Sequence, residues 1–322
     1  MNTNVFAKQL YGTLLAFILF TGGCFIDGGS GRVKYEKTVE LSQNLVPGSS
    51  LNATTPSGSI TIRGTESQVC HVSATIRTRA GSEAAAQELA DQVTVQLTPK
   101  PNGLILGVDR PKNLYRKSVS VSYQITVPRQ THITCDSSSG SITLEHLIGN
   151  ITAETSSGSV RARDLAGGDV DCHTSSGSVS LVHGSNLGTC ELATSSGSVK
   201  AEQVAAAQSV HLSTSSGSVK GIQITSPRVS AHTSSGGVTV DLTPATPADV
   251  DVKATSSSGS VAVTLPPSFA GSIEMGTHSG SVQCDHPVTI QGKFSKKHIY
   301  GTIGEGDGQL IAKTNSGSVR VK

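Results

Sequence analysis

Thr194-Ser195-Ser196-Gly197-Ser198-Val199 is one of ten near-copies of a single hexapeptide in this chain, and aligning the copies decides the fold. Their glycines are Gly58, Gly140, Gly158, Gly177, Gly197, Gly217, Gly236, Gly259, Gly280 and Gly317. Between Gly140 and Gly280 the copies recur every 18 to 23 residues, a period at which repeats stack as solenoid coils rather than fold as separate domains.

Working outward from the glycine, apolar and polar positions alternate with the period of two that half-buried strands require. Seven residues before it stand Leu51, Ile133, Ile151, Val170, Cys190, Val210, Val229, Val252, Ile273 and Leu310; five before stand small or apolar residues such as Cys135, Ala153, Cys172, Leu192 and Leu212. Two after it, Ile60, Ile142, Val160, Val179, Val199, Val219, Val238, Val261, Val282 and Val319 make a third apolar column. The intervening positions are polar, as in Thr134, Thr152, Asp171, Glu191, His211 and Ser230. A flexible Ser/Gly linker has no reason to hold three apolar columns in phase.

Each coil therefore reads as a strand, a Ser-Ser-Gly corner, a second strand and a return loop. The expected fold is all-β: a single-stranded parallel β-helix, or β-solenoid, of about 20 residues per coil. At roughly 4.8 Å per coil, about nine coils make a rod of roughly 45 Å. Glycine suits a corner that needs positive φ or has no room for a Cβ. The Thr or Ser three residues earlier suits the capping of corner backbone groups by its hydroxyl. Aromatic residues are 3% of the chain and Trp is absent, which fits a thin aliphatic core without space for a large cofactor. No cofactor is expected.

From residue 33 to 131 the pattern is less regular, and it reads as a β-rich cap over one end of the stack. It holds one coil-like segment from Leu51 to Arg63, strands near residues 70–78, 93–97, 104–108 and 119–127, and a short helix over 82–92 with Ser82 as N-cap and Glu83 in its first turn. The regular β-solenoid then occupies residues 132–322.

The chain resembles the bacterial DUF4097 family, described as candidate adhesins. The residues that carry the likeness are Pro56-Ser57-Gly58-Ser59-Ile60-Thr61-Ile62, Tyr123-Gln124-Ile125-Thr126-Val127-Pro128, the Ser-Gly-Ser-Val coils, and Lys313-Thr314-Asn315-Ser316-Gly317-Ser318-Val319. The resemblance implies a right-handed β-helix exposed outside the cytoplasm. It supplies no functional residues.

The N-terminus carries Lys8, an apolar stretch from Leu10 to Phe20 and then Thr21-Gly22-Gly23-Cys24. That stretch is too short to span a bilayer but suits the h-region of an export signal over residues 1–23. Thr-Gly-Gly-Cys resembles the lipobox of bacterial lipoproteins, departing from it in lacking Leu three residues before the cysteine. The resemblance implies that Cys24 is lipidated and that residues 24–32 form a flexible tether; ordinary signal peptidase cleavage nearby is the alternative. Phe25 after the cysteine goes with outer-membrane sorting in a Gram-negative cell, so the expected location is the cell envelope, with the membrane as partner through the lipid anchor. Formal net charge is +2, and no basic run interleaves with aromatics, which disfavours nucleic acid as a partner. The remaining cysteines, Cys70, Cys135, Cys172, Cys190 and Cys284, are an odd set. Cys135, Cys172, Cys190 and Cys284 read as small core hydrophobes in inward columns.

Stacking creates one constellation with chemical potential. Asp171 and Glu191 share an outward column on adjacent coils, as do Asp136 and Glu154, with His173 and His211 beside them. Paired carboxylates near 5 Å suit a retaining glycosidase or a divalent cation, while a solvated polar face is the plainer reading. Basic residues Arg161, Arg163, Lys200 and Lys220 on the other sheet, interrupted by Glu145 and Glu202, read as solubilising charge. Three functions follow as expectations. The first is a noncatalytic, lipid-anchored envelope protein that presents polar faces for adhesion to envelope polysaccharide or a surface protein. The others are a polysaccharide-active enzyme using the acidic patch and a self-assembling rod.

Overall fold

The alternation of apolar and polar residues is realised as two facing sheets joined at every corner. A computed structural model describes residues 22–26, 33–114, 118–291 and 295–322; all but the last two residues of the expected export signal, and most of the expected tether, fall outside these residues. One sheet is made of the strands that precede the corner, such as Ile151–Ser157, and the other of the strands that follow it, such as Ile142–Ile148. Successive coils pair in parallel and in register, so Val160 lies opposite Val179, and Val179 opposite Val199. The three apolar columns meet between the sheets: Val170, Cys172, Val179, Leu192, Val199 and Leu212 are at most 1% exposed. At about 25 cal/mol per Å² of apolar surface, this continuous interior is the main stabilising contribution, and no single coil could bury it alone.

The corner shows why the motif repeats. Gly197 has φ +142°, and a Cβ there would stand 2.0 Å from the carbonyl oxygen of Gly177 in the neighbouring coil. Alanine is thus excluded by conformation and by space. The hydroxyl three residues before the glycine donates to the glycine carbonyl of the adjoining coil, as from Thr155 to Gly140, Thr174 to Gly158, Thr194 to Gly177, Thr214 to Gly197 and Thr233 to Gly217, at 2.8–2.9 Å. The ladder satisfies buried carbonyls that the tight corner turns away from the sheets. Its donors are nearly out of contact with water, Thr194 being 7% exposed.

Coil order departs from chain order at both ends. Near the C-terminus, Asp251–Ser258 pairs with Gly308–Ser316, which in turn pairs with Gly271–Ser279. The last coil in sequence is therefore inserted between two earlier ones, and the hydroxyl ladder follows the spatial order: Thr314 donates to Gly259, and Thr277 to Gly317. At the other end, the Gly58 coil stacks directly on the Gly140 coil through Ser50–Thr55 against His132–Ser139. Beneath it, Gly103–Asp109 and Ser118–Pro128 form one further layer in parallel. There Val121 takes the glycine's place, accepting from Thr55 at 2.8 Å.

Antiparallel strands lie at both ends of the stack. Val33–Asn44 and Val69–Ala80 cover one sheet at the N-terminal end, and Thr94–Lys100 covers the other. His298–Ile303 runs antiparallel along Gly271–Ser279 at the far end. A change of strand direction and a covered edge discourage coil-to-coil addition of a second molecule. The helix Glu83–Asp91 packs on Val33–Asn44 and Val69–Ala80 of the N-terminal cap with Ser82 as its N-cap, whose hydroxyl accepts from Ala85 N–H. The backbone of Gly22–Ile26 pairs antiparallel with the first cap strand, placing Cys24 opposite Tyr35.

Candidate functional site

Because inward and outward residues alternate, the positions six and four before each glycine face water on the same sheet. In-register pairing aligns Asp136, Glu154 and His173 in one file and Asp171, Glu191 and His211 in the next. The six residues thus form one two-column patch across five coils. At its centre His173 Nε2 lies 2.6 Å from Asp171 Oδ1 and 4.0 Å from Glu191 Oε1. One ligand atom from each of the three lies within 4.8 Å of the others. An imidazole and two carboxylates at this separation match the donor types of a divalent transition-metal site. The carboxylate spacing is also near that of a retaining glycosidase pair.

Geometry supplies donors but little enclosure. Side-chain exposures of 47% for Asp171, 40% for His173 and 50% for Glu191 place the trio on the open face of a sheet. Ion pairs in such a setting contribute about 0–1 kcal/mol. Catalysis by paired carboxylates depends on desolvation that moves their proton affinities apart, and water on this face works against it. Asp136 and Glu154 are exposed further along the same file, while His211 lines a shallow groove of about 310 Å³ with Arg228, Asp251 and Lys253.

A second polar file was not read from the sequence. Six residues after the glycine the chain bends through positive φ at His146, Asp164, His183, Gln203 and Gln223, with φ of 53–60°. Asp, Asn and His tolerate this conformation better than most residues, so the polar character of this column was the available signal. Asp164 bridges its neighbours, with Oδ2 3.2 Å from His146 Nδ1 and Oδ1 2.8 Å from His183 Nδ1. These three border a groove of about 430 Å³ with Arg129, Ile148, Leu165 and Gln203.

The basic residues noted on the following strands lie among acids. Lys200 is ion-paired with Glu202 and holds its carboxyl below the usual range, and Glu145 lies 3.9 Å from Arg63. Cys135, Cys172 and Cys190 are buried free thiols, while Cys284, on an outer coil, is only half-buried. Burial pushes the thiols of Cys70, Cys135 and Cys190 up to about 12 and raises Cys172 and Cys284 as well. These are packing residues rather than nucleophiles.

No curated protein matches the chain. Among solved structures, a candidate adhesin from Bacteroides fragilis is similar at 13% identity and TM-score 0.37, covering 89% of this chain and 97% of that one. A candidate adhesin from Parabacteroides merdae is similar at 12% identity and TM-score 0.47, covering 88% and 96%. A candidate lipid-binding protein from Parabacteroides distasonis is similar at 13% identity and TM-score 0.46, covering 88% and 97%. The family profile described as Toastrack DUF4097 matches residues 49–322, from the first coil through the inserted last one. The chain belongs to the DUF4097, or Toastrack, family.

Proposed function

We propose that this protein is a noncatalytic, lipid-anchored component of a bacterial cell envelope, whose stacked coils present files of polar side chains for adhesion to envelope polysaccharide or a surface protein. The observation that carries the reading is the outward repetition: near-equivalent polar positions recur on every coil, open to water. Such a surface offers many weak contacts whose sum gives avidity, whereas a catalytic centre needs one enclosed cluster. The reversal of strand direction at the ends of the stack favours a discrete rod over an assembling one.

Cys24 is the proposed acylation site. It precedes the first cap strand, so the lipid would attach at one end of the rod and leave the coil faces directed outward. A binding screen of the purified protein against glycans and envelope fractions, joined to mass spectrometry of its N-terminus, tests both halves. Retention of envelope material and an acylated Cys24 are expected; a mature N-terminus beyond Cys24 without lipid would remove the anchor, and no retention would remove the adhesive role.

A further inference from the structure

Four carboxylates stand together on one patch of the coils without a Lys or Arg to offset them. Elsewhere on the coils Glu145, Glu202, Glu274 and Asp285 each meet such a side chain. Asp136, Glu154, Asp171 and Glu191 meet none among the described residues. Register sets Asp136 opposite Glu154 and Asp171 opposite Glu191 on adjacent coils, and Lys253, the nearest Lys of the second file, stands three coils beyond Glu191. Like charges directly opposite one another across a strand pair are destabilising, so a cation that enters the patch relieves it.

His173 turns this charged patch into a coordination set. It stands between Glu154 and Ala193 in its own file, and its Nε2 approaches Asp171 Oδ1 at 2.6 Å and Glu191 Oε1 at 4.0 Å. Asp171 Oδ1 is shielded from water and has no hydrogen-bond partner, so the short contact with the ring does not satisfy it. A shielded acceptor without a donor is costly, and a bound cation removes that cost. One donor atom from each of the three residues lies within 4.8 Å of the other two. An ion bonded to nitrogen and oxygen at about 2.0–2.2 Å holds its ligand atoms about 3–4 Å apart, a spacing these side chains reach by small rotations.

We propose that Asp171, His173 and Glu191 bind a divalent transition-metal ion of the zinc class, His173 supplying Nε2 and each carboxylate an oxygen. The imidazole decides the class: nitrogen beside carboxylate oxygen suits Zn²⁺ and its neighbours, whereas Ca²⁺ takes oxygen ligands in larger number. Three protein ligands leave a coordination position facing water, and His211, opposite Glu191, is the next donor along the file. The inference is independent of the adhesive reading and of the anchor, since the ion needs only the face of these coils.

The test uses the Cys24→Ala protein, which lacks one thiol that would compete for the ion. Zn²⁺ is titrated in by calorimetry, and Co²⁺ in a parallel experiment followed by absorption. Uptake of one equivalent is expected, with a Co²⁺ spectrum showing nitrogen and oxygen donors and no thiolate charge transfer. Loss of an outer partner costs a metal site about 10–100-fold in affinity and loss of a ligand at least as much, so His173→Gln and Glu191→Gln each weaken binding by about 100-fold. Asp164→Asn, in the other histidine-bearing file, changes it less than twofold, and an excess of Ca²⁺ leaves the Zn²⁺ in place. Circular dichroism verifies folding of each variant. Absence of uptake, undiminished binding by His173→Gln, or an equal loss in Asp164→Asn overturns the proposal. Displacement of Zn²⁺ by Ca²⁺ also overturns it, in favour of a hard cation held by the carboxylates alone.

Discussion

Replacing Thr194 by valine removes one hydroxyl from the corner ladder while keeping the side chain's shape. Thr194 Oγ1 donates to the carbonyl of Gly177 at 2.8 Å, and the donor is 7% exposed, so water does not readily take its place. A buried acceptor left without its donor costs about 1–3 kcal/mol, more than the net contribution of an average hydrogen bond. This corresponds to about a 5- to 150-fold change in the unfolding constant. Thr194→Ser keeps the donor and should recover most of the loss. Thr152→Val, at an exposed outward position on Ile151–Ser157 two coils earlier, serves as the control and should stay within about 0.5 kcal/mol of the parent. Urea unfolding followed by circular dichroism measures all three, with an unchanged slope showing that only stability has moved. Equal midpoints for Thr194→Val and Thr152→Val would refute the view that the ladder holds neighbouring coils together.

Three further outcomes follow from the same packing. Val199→Asp places an unpaired charge at a position with 0% exposure and should cost about 3–5 kcal/mol, whereas Glu202→Ala should shift the thermal midpoint little; comparable melting of the two would contradict the column assignment. Truncation before Gly308 removes the coil between Asp251–Ser258 and Gly271–Ser279, leaving a gap of about 9.6 Å between strands; limited proteolysis should then cut the preceding coil rapidly, and a parent-like digest would contradict the insertion. In the Cys24→Ala protein at pH 8, half-buried Cys284 should alkylate before the buried Cys70, Cys135, Cys172 and Cys190, whose burial raises their thiol pKa values and leaves little thiolate at that pH. Peptide mass spectrometry reads the order, and early labelling of Cys172 would count against the core.

Much of the fold was legible because the coil repeats its chemistry at fixed offsets. The columns through Val170, Cys172 and Val179 and the helix capped by Ser82 could be read directly, since local alternation and a cap residue encode them. The insertion of Gly308–Ser316 could not be, because every coil carries nearly the same motif and nothing in Lys313-Thr314-Asn315-Ser316-Gly317 specifies which neighbour it joins. Nor was the layer beneath the first coil visible, as Val121 occupies the corner position without a Ser-Gly signature. The file of Asp136, Glu154 and His173 followed from register alone. The Asp164 bridge between His146 and His183 depends on a backbone bend six residues past the glycine, which period-two counting passes over.

The central functional claim is binding without turnover, and one paired measurement addresses it directly. The parent protein and Asp171→Asn/Glu191→Gln, both verified as folded, are incubated with the same polysaccharide panel, and bound polymer and newly formed reducing ends are quantified together. The account predicts that the parent retains polymer whose chain length is unchanged, with no reducing ends above a protein-free blank. Reproducible release of reducing ends by the parent, abolished in the double variant, would contradict it and make the carboxylates flanking His173 an active site.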